Sequence, residues 1–186
     1  NEIIASDYKR KIENIIGRSC RIVLYVGGIS SIRGLLQVVE SMPHWVSDAV
    51  LVCRGEVFPD FVNTLKVRAS EIGVINKLVI DQVSAYQDDN LSIADIATAN
   101  IGLDLREPTN LNNFYSAYAT NKLHQYMAAG IPTIARQGPG YDDLVDLLET
   151  GICVNMEDSS AIADAVNTLL SDNQLQTYFG RNARQL

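Results

Sequence analysis

Asn121-Lys122-Leu123-His124-Gln125-Tyr126-Met127-Ala128-Ala129-Gly130-Ile131-Pro132-Thr133-Ile134-Ala135 decides how the chain folds. Leu123, Met127 and Gly130 fall on one helix face at spacings of four and three, and Lys122, Gln125 and Tyr126 share another. The first face suits a core, and the second can hold a ligand. Gly130 is placed to end the helix as a left-handed cap, and Pro132 keeps it from running into the apolar residues Thr133-Ile134-Ala135. A helix that passes at once into a buried strand is a joint of an α/β protein.

Working outward, the same joint recurs. Non-alternating apolar runs, as expected of parallel strands buried on both faces, predict strands over 21–26, 49–53, 78–80, 101–105, 133–135 and 152–154. Between them, helical periodicity predicts helices over 31–42, 60–72, 91–99, 142–148, 160–170 and 175–184, with Ser30 capping the second helix of the chain and Pro43 closing it. Residues 2–16 carry Ile3, Ile4, Tyr8, Ile12, Ile15 and Ile16 among charged positions, so residues 1–17 read as an amphipathic helix leading in. About six strands in strict alternation with helices imply an α/β fold with a doubly wound, Rossmann-like parallel sheet, and residues 1–186 are expected to form one domain.

Composition narrows the function. A net charge of −7, from 22 acidic against 15 basic residues, argues against a nucleic-acid surface, although phosphate can still be held locally. Cys20, Cys53 and Cys153 are odd in number, far apart and set beside or within apolar runs, which offers neither a disulfide framework nor a zinc pattern and fits a reducing cytoplasm. No apolar run approaches the length of a membrane span, and Asn1-Glu2-Ile3-Ile4 is neither a signal peptide nor an initiator start, so the chain reads as part of something longer.

In a doubly wound sheet ligands bind beyond the carboxyl ends of the strands, where strand order reverses. Gly27-Gly28-Ile29-Ser30-Ser31-Ile32-Arg33-Gly34 follows the first strand, Arg54-Gly55-Glu56 the second, Arg106-Glu107-Pro108-Thr109-Asn110 the fourth and Gln137-Gly138-Pro139-Gly140 the fifth. The glycines at 27, 28 and 34 do not make Gly-x-Gly-x-x-Gly, and no Gly-Lys-Ser/Thr is present, which argues against a kinase or NTPase. Arg54 and Glu56 read from charge alone as a surface pair, His124 as a partly exposed structural residue, and His44 and Trp45 as structural.

Taken together, Leu24-Tyr25-Val26-Gly27-Gly28 with Arg33-Gly34, Leu51 to Glu56, Ala94-Asp95-Ile96-Ala97, Asn121-Lys122-Leu123 with Tyr126 to Pro132, and Thr150-Gly151-Ile152 with Asp158 resemble a known family. It is the carboxy-terminal, nucleotide-sugar-binding lobe of GT-B glycosyltransferases of the family 4, or group 1, type. The resemblance covers the chain from Arg21 onward. It implies a donor of the UDP-, GDP- or ADP-sugar class with no other cofactor and no metal, transfer of a hexose-type sugar with retention, and a polysaccharide-forming role. A saccharide or lipid-linked acceptor, and any peripheral membrane contact, would come through an absent amino-terminal lobe, so the isolated lobe would transfer poorly.

Carried over position by position, the resemblance makes Arg33 and Lys122 the cations that stabilise the departing diphosphate. It assigns Gly27, Gly28 and Asn121 to the phosphate cradle, Arg54 and Val83 to the base and ribose side, and Gln125 and Tyr118 to donor contacts. The family's two glutamates, eight positions apart, are Ala117 and Gln125 in this chain. Gln125 can accept from a ribose hydroxyl without charge assistance, and Ala117 offers only backbone. That departure keeps two alternatives in view: a degenerate, non-catalytic sugar-nucleotide binder, and a nucleotide-sugar epimerase of the same architecture.

Overall fold

The computed structural model of the chain describes residues 7–46, 48–83 and 91–186. In chain order the elements are α1 (Asp7–Ile16), β1 (Arg21–Val26), α2 (Leu35–Ser41), β2 (Ala49–Gly55), α3 (Pro59–Glu71), β3 (Leu78–Gln82), α4 (Ile93–Ile96), β4 (Ile101–Asp104), α5 (Leu111–Phe114), α6 (Asn121–Ala129), β5 (Thr133–Arg136), β6 (Gly151–Val154), α7 (Ser159–Ser171) and α8 (Asn173–Ala183). Short 3-10 turns and a π-helical segment, Asp142–Leu147, fill the remaining connections.

The strands form one parallel sheet in the order β3-β2-β1-β4-β5-β6. The chain winds outward from β1 to β3, crosses back to β4 and winds out the other way, so the strand order reverses between β1 and β4. Successive residues of β1 serve two cores. Val23 and Tyr25 pack with α2, α3 and α7, whereas Ile22 and Leu24 pack with Ile12 of α1, Ile96 of α4 and Tyr126 of α6. Burial on both faces explains why the strands read as continuous apolar runs.

β1 and β4 stay in register only over Val23↔Ile101 and Leu24↔Gly102 before they diverge. Tyr126 plugs the opening. Its ring lies against Gly102, where an added Cβ would sit 2.4 Å from it, and its hydroxyl accepts from the Val26 N–H at 3.1 Å and donates to the Leu24 carbonyl at 3.2 Å. The expectation that Tyr126 shares a ligand-facing side with Lys122 and Gln125 is therefore corrected: it is fully buried.

Three further expectations change. The helix predicted over 31–42 is broken: Ser31–Arg33 is a 3-10 turn, Gly34 turns left-handed at φ 68°, and α2 begins at Leu35. Ser30 makes no side-chain cap, and the α-helix starts behind the left-handed Gly34 rather than at the first glycine loop. The cause is close packing, because a Cβ on Gly34 would lie 2.6 Å from the Leu105 carbonyl oxygen. Gly34→Ala is expected to cost about 1 to 3 kcal/mol, from both that contact and the positive φ, read as a lower urea midpoint. The helix predicted over 91–99 shrinks to one turn, held by a reciprocal Ser92–Asp95 cap. Of the leading helix, residues 7–16 are observed, and Ile3 and Ile4 lie outside the described residues.

At the far side, Gly130 ends α6 in the left-handed conformation as expected, and α8 crosses it closely. A Cβ on Gly180 would lie 2.1 Å from the Gly130 carbonyl oxygen, and Arg184 Nη2 donates to the Ala129 carbonyl at 2.9 Å. All three cysteines are buried and free. Among the described residues no helix is long and apolar enough to cross a membrane.

Candidate donor-binding site

Beyond the carboxyl ends of β1 and β4, where strand order reverses, lies a cavity of about 510 Å³. Gly27 enters from the loop after β1, Arg106 from the loop after β4, Asn112 and Asn113 from α5, and Asn121, Lys122 and Gln125 from the first turns of α6. Thr120, the residue before α6, makes no side-chain cap, which leaves the first amides of that helix open toward the cavity wall that Thr120, Asn121 and Lys122 form.

Lys122 is buried, with its ammonium 3.0 Å from Asp104 Oδ1 and 4.9 Å from the centre of the Tyr25 ring. Burial holds its pKa below the ordinary lysine value; Asp104 works against that, and the nearby charges of Arg33 and Arg106 reinforce it. Asp104 ends β4 fully buried and also accepts a hydrogen bond from the Tyr141 hydroxyl at 3.2 Å through its other oxygen. Gly27, at φ 133°, passes close by: a Cβ there would lie 3.2 Å from the Tyr25 hydroxyl and 3.7 Å from Lys122 Cε. That hydroxyl donates to the Gly28 carbonyl at 2.9 Å, which ties down the loop.

Arg33 sits on the 3-10 turn held by Gly34. Its Nε and Nη1 are shielded from water and have no hydrogen-bond partner. Such nitrogens are costly unless something completes them. Three cations, Arg33, Arg106 and Lys122, thus converge against one carboxylate in a chain whose net charge is −7. The arrangement can bind a compact polyanion.

The remaining side of the cavity is fastened from β5. Arg136, almost wholly buried, donates to the carbonyls of Asn113 at 2.9 Å and Phe114 at 2.6 Å and so pins α5.

Of the residues that the sequence points to, Gly27, Asn121, Lys122 and Gln125 line the cavity. Gly28 adjoins it, and Arg33 is close enough to act on Lys122. Arg54 is not part of a surface pair with Glu56: it is buried and paired with Asp81, because β2 and β3 set Arg54 opposite Asp81 in register. Val83, whose N–H donates to the Gly55 carbonyl at 3.0 Å, follows β3 and is not part of this cavity's wall. Tyr118 is mostly exposed and turns its hydroxyl to Asp143 at 3.0 Å, away from the cavity. His124 is exposed and Trp45 is buried. Asp104, Arg106 and Arg136 were not singled out as site residues. Arg106 stood in a flagged loop, and an acid at the end of an apolar strand was the signal for Asp104.

With this geometry in place, comparison with known proteins becomes informative. Residues 122–186 match the family described as "Glycosyl transferases group 1". The matched segment begins at Lys122 and runs through β5, β6, α7 and α8.

The whole chain has the fold of one lobe of the two-lobed glycosyltransferases. Anabaena Alr3699/HepE, solved in complex with UDP and glucose, is similar over 100% of this chain and 49% of its own at 16% identity and a TM-score of 0.77. WaaG, a glycosyltransferase involved in lipopolysaccharide biosynthesis, is similar over 96% and 45% at 17% identity and a TM-score of 0.71. The chain thus spans about half the length of these enzymes. The C-terminal domain of a glycosyl transferase group 1 family protein, LpcC from Francisella tularensis, is similar over 96% of this chain and 88% of its own, at 17% identity and a TM-score of 0.72. No curated protein sequence matches this chain.

Proposed function

We propose that the chain is the donor-binding lobe of a glycosyltransferase that moves a hexose-type sugar from a nucleoside-diphosphate sugar to a saccharide or lipid-linked acceptor. The observation that carries this reading is Arg33, whose two shielded nitrogens lack a partner beside Lys122 and Arg106. A diphosphate supplies the missing acceptors and the matching charge. It also suits the position of the cavity at the reversal of strand order.

The chemistry follows from charge. As the sugar–phosphate bond breaks, the departing diphosphate gains negative charge, and fixed cations and helix amides stabilise that state more than the ground state. Arg33 and Lys122 hold the phosphates, Gly27 allows their close approach, and Gln125 accepts from a donor hydroxyl. The anomeric carbon then faces the acceptor, which a second lobe presents. The solved complex of HepE with UDP-glucose supports a nucleoside-diphosphate sugar as the donor class.

A second reading has its own observation. Ala117 is fully buried and lies outside the cavity lining, so that position presents no carboxylate to a donor. A non-catalytic sugar-nucleotide module would share the phosphate site and lack turnover. An epimerase of the same architecture would turn over donor without acceptor.

The test is a calorimetric titration with UDP, GDP, ADP and NAD. One nucleoside diphosphate is expected to bind and NAD not. Arg33→Ala should weaken that binding by about 1.5 to 3 kcal/mol, or roughly 10- to 150-fold. Binding unchanged by Arg33→Ala would overturn the site.

A further inference from the structure

Lys122 does not hang freely at the cavity wall. Its ammonium is buried between the Asp104 carboxylate at 3.0 Å and the face of Tyr25 at 4.9 Å. A lysine ordinarily ranges over many rotamers, and a buried one tends to lose its proton. This one has a fixed counter-ion in β4. Asp104 is fixed in turn: Tyr141 donates to its second oxygen at 3.2 Å, and the Tyr141 hydroxyl lies 3.1 Å from Ser116 Oγ. With the Tyr141 proton given to Asp104, the one Ser116 proton joins it either to Tyr141 or to the Asn113 carbonyl at 2.9 Å. The chain of contacts runs from one side of the cavity, at Asn113, to the other, at Lys122, behind its wall.

We propose that Asp104, held by Tyr141 and Ser116, is a positioning residue of the donor site: it keeps the Lys122 ammonium charged and aimed before a diphosphate arrives. This rests on the donor-binding reading above. Asp104 touches no substrate in this role. It engages one donor direction of the ammonium and leaves two for phosphate oxygens.

The charges facing Lys122 are Asp104 from β4, Arg33 from the turn after β1 and Arg106 from the loop after β4, with the Tyr25 ring beneath it. Burial and the two arginines push the lysine toward losing its proton, and Asp104 opposes them. Removing the carboxylate therefore moves proton loss to lower pH. Diphosphate affinity, which needs the ammonium, must then fall at lower pH as well.

The experiment compares Asp104→Asn with the unaltered chain in two readouts. The first is the carbon-13 NMR titration of Lys122 Cε, assigned by its disappearance in Lys122→Arg. The second is calorimetric affinity, between pH 6 and pH 9, for UDP, GDP and ADP. The titration midpoint of Lys122 is expected to fall by ~1 unit or more in Asp104→Asn, with affinity about tenfold weaker at the alkaline end and little changed at the acid end. Tyr141→Phe, which keeps the ring and removes only the hydroxyl, should shift both in the same direction by less, and it serves if Asp104→Asn does not fold. An unmoved lysine titration, or a loss of affinity equal at every pH, overturns the proposal. A chain that binds no nucleoside diphosphate at all would instead overturn the donor-binding reading on which it rests.

Discussion

Tyr126→Ala is expected to cost about 3 to 5 kcal/mol of folding stability, the range for deleting a fully buried aromatic side chain. Two losses combine. The ring fills the space that Gly102 leaves open, and the hydroxyl satisfies the Val26 N–H at the point where β1 and β4 part. Tyr126→Phe separates them. It keeps the ring but strands that N–H, for about 1 to 3 kcal/mol. Gly102→Ala is expected to be strongly destabilising in the unaltered chain and nearly harmless in Tyr126→Ala, because the clash is with the ring. Urea unfolding of the four forms makes a double-mutant cycle, and additivity would refute the interlock.

Asp81→Ala is expected to cost a similar 3 to 5 kcal/mol, roughly what removing one partner of a buried ion pair costs. Asp81 pairs with the buried Arg54 and takes Lys11 of α1 at 2.8 Å, so its loss leaves a guanidinium in the core and loosens α1 from β3. The pair also predicts a pH dependence. Burial alone would raise the Asp81 pKa, but the hydrogen bonds and charges of Lys11 and Arg54 outweigh it and hold the carboxyl below its ordinary value. A carboxylate lowered by folding contributes fully above its unfolded value, near pH 3.9, and loses that contribution as pH falls through the folded value. Acid should therefore destabilise the unaltered chain more steeply than Asp81→Asn, which has no such proton to gain. Equal slopes would show that the pair is not coupled to folding.

Both predictions concern features that local sequence hides, and the reason is physical. The strands were legible because a parallel strand buried on both faces must be apolar throughout, as Arg21–Val26 is over Ile22 to Val26. Gly130 and Pro132 marked their joint correctly because the left-handed turn and the missing N–H act at the residue itself. The break at Gly34 was invisible. Its periodic neighbours continue the helical pattern, and the obstacle is the carbonyl of Leu105, which reaches it only in the folded sheet. Arg54 was misread for a similar reason: charge predicts exposure unless a partner is buried with it, and the partner lies 27 residues away. Tyr126 was assigned to the wrong environment because helical spacing tells which side chains share a side and not what covers that side.

The candidate site divides along the same line. Gly27, Lys122 and Gln125 stood in short motifs whose spacing carries their meaning, and they meet at one cavity. Asp104 and Arg136 act through contacts across the fold, so the local signals were only the acid that ends a strand, for Asp104, and the flagged loop, for Arg106.

The crossing of α6 by α8 has a mechanical consequence. α6 spans only Asn121–Ala129, a stiff rod with Lys122 at one end and the clamp of Gly180 and Arg184 at the other. A stiff rod does not tilt at one end alone. Whatever grips the lysine must also quieten the carboxy-terminal helix, so amide exchange along Asn173–Ala183 should slow on ligand binding although that helix touches no ligand.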